Sequence, residues 1–317
     1  MEFVSVTRDA GLLTIAIDRP QGHNSLNRAL RLELRKAFEE AAEQCVVKPE
    51  TGPTGSGDAT ADPGPVRAVL LKGGKKVFCT GQDLKEHLTE MTEPSAMDKV
   101  DTEYNPMIAA LAAIPVPVVA AVNGAAAGAG WSLALNCDFR IAAASASFKA
   151  AFPSIGLATD CGISYLLPQL VGPAQALQLL YDDQPIKSAR ALELGLVTQV
   201  VDGDDADEAA EAFARKLASG PTGSYREIKA LVKDASAMLV IADRESGAQK
   251  RLVVTEDHKE AVDAYLNKRA PEFTGRLSRS GGEACRRPTG GPAVAADGGS
   301  AGVGRDCGRS TGRGCGA

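Results

Sequence analysis

The sequence predicts an α/β fold, and three observations carry the prediction. A strand, a tight turn and a helix follow one another about three times in the first part of the chain. No residue between Glu103 and Asp138 is charged, and inside that stretch Pro117-Val-Val-Ala-Ala-Val122 leads straight into Asn123-Gly-Ala-Ala-Ala-Gly-Ala-Gly130. Beyond residue 174 helical periodicity dominates.

Residues 4–8 and 12–18 alternate in polarity around Asp9-Ala-Gly11, which reads as a β-hairpin. A helix follows from about Asn27 to Gln44, with Leu30, Leu34, Ala37, Phe38 and Ala41 at helical spacing. Residues 48–65 are dense in Pro, Gly, Thr and Asp and read as an exposed insertion. Residues 66–72 form a strand, and Gly73-Gly-Lys-Lys76 turns the chain toward Val77-Phe-Cys-Thr-Gly-Gln-Asp-Leu84, a strand–turn–helix junction. The uncharged stretch supplies a second: a buried strand, a glycine-rich turn and a helix. Glycines allow positive φ and close approach, so main-chain N–H groups there can face a bound oxygen. Residues 139–143 are a strand, a connection runs to Phe148, and Pro153-Ser-Ile-Gly-Leu-Ala-Thr-Asp-Cys-Gly162 leads into an apolar helix at 163–170. Helical patterns then occupy 174–181, 188–194, 206–218, 222–235 and a long run through about 255 to 268, interrupted by one strand at 197–201. Residues 277–317, rich in Gly, Arg, Ser and Ala and free of aromatics, bury too little to offset ordering entropy and read as a disordered low-complexity tail.

Composition excludes several classes. A chain of 317 residues, 44% hydrophobic, has room for one large domain or two unequal ones. A net charge of −5 and a pI near 5.4 argue against a nucleic-acid partner. The uncharged stretch exceeds the roughly 20 apolar residues of a membrane span, but Pro115, Pro117, Asn123 and its many Ala and Gly residues argue against a membrane role. The start of the chain lacks the basic and apolar regions of a signal peptide, so a cytoplasmic protein is expected. Gly124, Gly128 and Gly130 do not match the dinucleotide-binding spacing. Taken alone, these glycines also fit simple tight strand-to-helix packing. Seven cysteines without a C-x-x-C pair and three histidines give no metal site, and Cys45, Cys79, Cys137 and Cys161 read as reduced buried thiols.

Phe78-Cys-Thr-Gly-Gln-Asp-Leu84 and Asn123-Gly-Ala-Ala-Ala-Gly-Ala-Gly-Trp131, with Ile17-Asp-Arg-Pro20 and Asn24-Ser-Leu26 upstream, resemble the crotonase (enoyl-CoA hydratase/isomerase) superfamily. The resemblance runs from about Val4 to Arg276 and closes on Thr255-Glu-Asp-His258 and Phe273-Thr-Gly-Arg276. It implies a spiral of repeated β-β-α units, with a core at 1–200 and a helical region at 201–276 serving as lid and oligomerisation surface. It also implies an acyl-CoA substrate, no cofactor besides that CoA, and a homotrimer or dimer of trimers. The CoA would lie near the loop after Arg19-Pro20 and near residues 72–82. Its thioester carbonyl would sit between the backbone N–H groups of Gln82 and Ala129, worth about 2.7–4 kcal/mol per donor to an enolate.

The chain departs from the family where its hydratases carry two glutamates. Ser132 and Phe152 stand at those places, and neither can move a proton near neutral pH. One acid remains in a matching segment, Asp160, similar to the branch that holds the phenylacetate-pathway epoxide and ring isomerases and the 3-enoyl-CoA isomerases. There an aspartate shuttles a proton, and an apolar pocket around Phe152 and Leu157 would raise its pKa. The alternative for Asp160 is an N-cap of the following helix. Asp83 reads as the cap of its own helix. Ser132, Trp131 and Phe152 are expected to line the acyl pocket. The expected function is a double-bond shift in an unsaturated acyl-CoA. The alternatives are a trans-2-enoyl-CoA hydratase, an acyl-CoA hydrolase, or a catalytically silent acyl-CoA-binding subunit.

Overall fold

A computed structural model describes residues 1–45, 64–91, 93, 95–182 and 184–276. The expected tail at 277–317, and all but the last two residues of the expected insertion at 48–65, lie outside the described residues. The strands are β1 (Val4–Asp9), β2 (Leu12–Ile17), β3 (Ala68–Lys72), β4 (Val77–Cys79), β5 (Val118–Val122), β6 (Ala125–Ala127), β7 (Phe139–Ala143), β8 (Ser147–Lys149), β9 (Ile186–Lys187) and β10 (Gln199–Val201). The α-helices are α1 (Arg28–Gln44), α2 (Leu84–Glu90), α3 (Asn105–Ala112), α4 (Ala129–Asn136), α5 (Ile163–Val171), α6 (Pro173–Asp182), α7 (Ser188–Glu193), α8 (Asp207–Ala218), α9 (Thr222–Val232), α10 (Ala235–Leu252) and α11 (Glu256–Leu266).

The hairpin forms as its alternation requires, with Val4 opposite Ile17 and Asp9 opposite Leu12. β2, β3, β5, β7 and β10 then run parallel in a sheet of order β1-β2-β3-β5-β7-β10. A second sheet, β4-β6-β8-β9, collects the short strands. Each of β3, β5 and β7 is followed at once by a strand of the second sheet and then by a helix, so the β-β-α unit repeats three times. This is the physical content of the spiral. The lack of charge around β5 follows from its place: Val118, Ala120 and Val122 face one core, and Val119 and Ala121 face Ala210, Ala214 and Ala218 of α8 in another. A strand covered on both faces has no position that tolerates an unpaired charge.

Local chemistry sets the helix ends. Asn27 Oδ1 accepts the Leu30 N–H at 3.0 Å and starts α1. Asp234 Oδ1 accepts the Ala237 N–H at 2.8 Å and starts α10, so the helix expected over 222–235 ends earlier, as α9 at Val232. Three further strands depart from the expected pattern. β6 lies within the stretch read as a turn, β8 within the connection to Phe148, and β9 inside the helical region. Each has two or three residues, too few to display a period of two. The described residues belong to one compact unit, Met1–Ser278. Among them, no helix is long and apolar enough to cross a membrane.

Candidate active site

Two backbone turns meet beside the short strands. After β4 the chain turns at Gly81, with φ +81, and Asp83 starts α2 by accepting the N–H groups of Lys85 at 2.9 Å and Glu86 at 3.1 Å. Burial works against the Asp83 charge, but the Glu86 amide, Arg19 at 2.7 Å and Ser25 at 3.1 Å outweigh it and hold the carboxyl below its ordinary value. After β6 the chain turns at Gly128, with φ +52, and Ala129 opens α4. A Cβ on Gly81 would lie 2.7 Å from the Ala127 carbonyl oxygen and 3.0 Å from the Ala129 nitrogen, and one on Gly130 would overlap the Cys79 carbonyl. Glycine is what lets these two segments lie against each other. The Ala129 N–H, in the first turn of α4, has no acceptor within its own helix.

Gln82 and Ala129 line a cavity of about 380 Å³ together with Thr80, Phe152, Leu157 and Asp160. That volume lies in the range of small-molecule pockets, roughly 300–1,000 Å³. Asp160 is 5% exposed. Burial pushes its carboxyl up from 3.8 to about 8, with the nearby Glu245 adding to the rise and the Cys161 thiol opposing it. Its Oδ1 has no hydrogen-bond partner among the described residues. Asp160 does not cap α5: the N–H groups of Gly162 and Ser164 donate to Glu245 of α10 at 2.7 and 2.9 Å, so the capping alternative fails. Its carboxyl is free for other work.

The profile of the enoyl-CoA hydratase/isomerase family matches residues 58–276. The chain belongs to this family, the crotonases. It is 35% identical over 280 residues to the 1,2-epoxyphenylacetyl-CoA isomerase of Escherichia coli (strain K12), covering 87% of this chain and 100% of the relative. It is 36% identical to a probable enoyl-CoA hydratase of Rhodobacter capsulatus, covering 84% and 95%. Among solved structures, an enoyl-CoA hydratase from Mycobacterium avium subsp. paratuberculosis K-10 superposes with a TM-score of 0.70 at 31% identity, covering 86% of this chain and 98% of that one.

In this crotonase the two positions at which the resemblance implies a glutamate in hydratases behave differently. Phe152 lines the cavity, whereas Ser132 does not, contrary to expectation: it is fully buried on α4 and its hydroxyl donates back to the Gly128 carbonyl at 3.3 Å. Trp131 also stays out of the cavity, buried with its ring 6.4 Å from that of Phe148. On a helix whose every residue is buried, adjacent side chains point in different directions, and only Ala129 at the start of α4 reaches the cavity. Sequence reasoning missed Gln249, Ala261, Ala264 and Tyr265 of the C-terminal helices, which also line it. No local signal marks them, because they reach the site only through tertiary packing.

A buried histidine pair meets one residue of the cavity wall. His87 of α2 and His258 of α11 are buried with their Nε2 atoms 2.9 Å apart, and His258 Nδ1 is 2.7 Å from the carbonyl of Ile155, a cavity residue. A carbonyl only accepts, so His258 Nδ1 carries the proton, its Nε2 accepts, and His87 Nε2 donates. The site on His87 open to a further proton is Nδ1, which is buried with no hydrogen-bond partner among the described residues. Burial, Lys99 and His258 accordingly push His87 down from 6.5 to about 3. Between those values the unfolded chain binds a proton that the folded chain refuses. Stability should therefore fall as pH drops from 6.5, by up to about 1.4 kcal/mol per unit. Urea unfolding of wild type and His87→Gln between about pH 6.5 and 5 checks this. The substitution should flatten the slope, and an unchanged slope would count against it.

Proposed function

We propose that this crotonase shifts a carbon–carbon double bond in an unsaturated acyl-CoA, with Asp160 as the single proton carrier. The observation that carries the reading is that Asp160 is the one carboxylate among the described residues lining the cavity that holds Gln82 and Ala129. Hydration by a pair of glutamates needs a second carboxyl there. A 1,3-proton transfer needs one. Asp160 removes a proton from the α carbon of a 3-enoyl thioester, and the electron pair moves onto the carbonyl oxygen as a dienolate. The Gln82 and Ala129 N–H groups stabilise that oxygen, and the same carboxyl returns the proton at the γ carbon. The product is the 2-enoyl isomer. No electron enters or leaves, so the step as written uses no cofactor beyond the CoA thioester. An Asp160 carboxyl pushed up to about 8 is matched to accepting and returning a carbon-bound proton near neutral pH.

The cavity contacts of Ala261, Ala264 and Tyr265 support the reading of the C-terminal helices as a cover. The exposed Ile228, Leu231 and Val232 of α9 support an assembly surface there. The test of function is to offer the purified protein a 3-enoyl-CoA and, separately, a trans-2-enoyl-CoA. Isomerisation of the first, lost in Asp160→Asn, is the expected result. Hydration of the second that survives Asp160→Asn, or thioester binding with no turnover of either, would overturn the reading.

A further inference from the structure

The loop carrying Asp160 is held by one helix from both sides. Glu245 and Gln249, one turn apart on α10, are 4% and 1% exposed. Gln249 Nε2 donates to the Ala158 carbonyl at 2.7 Å, before Asp160. Glu245 Oε2 and Oε1 accept the N–H groups of Gly162 and Ser164 at 2.7 and 2.9 Å, after it. Asn136 of α4 closes the set by donating to the Cys161 carbonyl at 3.0 Å. The loop's backbone groups are thus tied to side chains from α4 and α10, while the Asp160 side chain is left to the cavity. Cys161 takes φ +56 within this loop, a left-handed conformation that is unfavourable for a residue with a side chain and persists only where surroundings hold it.

We propose that Glu245 and Gln249 are positioning residues for Asp160: together they fix where its carboxyl stands, and the Glu245 charge sets the pH range in which it works. The proposal rests on the reading of Asp160 as the proton carrier. The titratable groups facing Asp160 are Glu245 on α10, Cys161 in its own loop, Cys79 at the end of β4 and Tyr104 before α3. Burial pushes the Cys79 thiol up to about 12 and raises the Cys161 thiol and the Tyr104 phenol well above their ordinary values, so these three are neutral. Burial raises the Glu245 carboxyl above its ordinary value, but the Gly162 and Ser164 amides and the Ser164 and Thr159 hydroxyls oppose that rise, which leaves Glu245 as the charged member. Both its oxygens accept backbone N–H bonds, an arrangement that favours the carboxylate. A fixed negative charge beside Asp160 disfavours a second one and keeps the Asp160 proton bound to higher pH.

The test is a set of pH–rate profiles for a 3-enoyl-CoA. Glu245→Gln should move the acid limb to lower pH by about one unit and reduce kcat about ten- to hundredfold while KM stays within about twofold. Glu245 itself does not line the cavity. Glu245→Asp keeps the charge but shortens the reach, so it should lose kcat with the limb in place. Gln249→Leu should do the same, since it frees the Ala158 carbonyl and leaves the charge. A residue that only supports the fold would lower the amount of active protein without moving the limb. A wild-type limb in Glu245→Gln overturns the charge role, and wild-type kcat in Glu245→Asp and Gln249→Leu overturns the positioning role. If Glu245→Gln does not fold, infrared spectra of Asp160→Asn read the charge role directly: an ionised Glu245 between about pH 6 and 8 supports it, and a protonated Glu245 carboxyl stretch in that range overturns it. Asp160→Asn run alongside separates the two levels, because activity surviving in that variant sinks the reading of Asp160, not the proposal about Glu245 alone.

Discussion

Under the proposed mechanism, Asp160→Asn should lower kcat for 3-enoyl-CoA isomerisation by about 10²–10⁴-fold, the usual contribution of a positioned acid–base group. Asn has nearly the same shape but cannot take a proton from carbon. In the wild type, kcat/KM should rise with pH toward a plateau with its midpoint at about 8, because that profile reports the essential base of the free enzyme. The same substitution should leave the fold intact and make it more stable in alkali. The Asp160 carboxyl titrates at 3.8 when unfolded and about 8 when folded, so between these values the folded chain holds the extra proton. Stability from this group is complete below 3.8 and is lost as pH rises through about 8. Removing it should raise the unfolding free energy at about pH 9 by a few kcal/mol and change little at about pH 4. Urea unfolding at the two pH values checks this, and an Asn variant less stable at the higher pH would show that Asp160 is structural.

Gly81→Ala carries the second large effect. At φ +81 an Ala side chain is strained, and its Cβ would lie 2.7 Å from the Ala127 carbonyl oxygen and 3.0 Å from the Ala129 nitrogen. Both obstacles are backbone atoms, which no rotamer change can move. The turn carrying Gln82 must therefore separate from the turn carrying Ala129, and under the proposed mechanism their two N–H groups could no longer both reach one thioester oxygen. Loss of one such donor typically costs about 10²–10³-fold in kcat, and Gly81→Ala should fall in that range. Binding of a saturated acyl-CoA, which forms no enolate, should weaken far less. Gly128→Ala makes a useful contrast, because the nearest atom to its added Cβ is 3.7 Å away and only the backbone conformation opposes it. Equal losses in the two variants would argue that strain alone, not the closeness of the turns, explains Gly81.

Much of this architecture was legible in the residues. The hairpin, α1, β7 and the helices from α6 to α8 follow from alternation, helical spacing and local turn chemistry, all of which act over a few residues. The short strands β6, β8 and β9 were not legible, since two or three residues pair only when a partner is already in place. Phe152 lines the cavity and Trp131 and Ser132 do not, because the direction of a side chain on a fully buried helix depends on what packs around it. Asp160 stood out in sequence as the remaining acid in its motif. It is buried and unpaired at Oδ1 among the described residues, and it does not cap α5 because Glu245, 85 residues further on, takes the Gly162 and Ser164 N–H groups.

The chain by itself determined the glycines at 81, 128 and 130, the order of the two turns, and the absence of glutamates at Ser132 and Phe152, since backbone permissiveness and the lack of a titratable group are properties of single residues. The tertiary structure alone decided which polar groups meet. Glu245 and Gln249 sit one turn apart on an 18-residue helix, and nothing in their spacing distinguishes a solvent-facing pair from a buried clamp. Only the packing of α10 against α5 brings them to the Asp160 loop, and burial there is what turns an ordinary carboxyl into one that holds its proton to about 8.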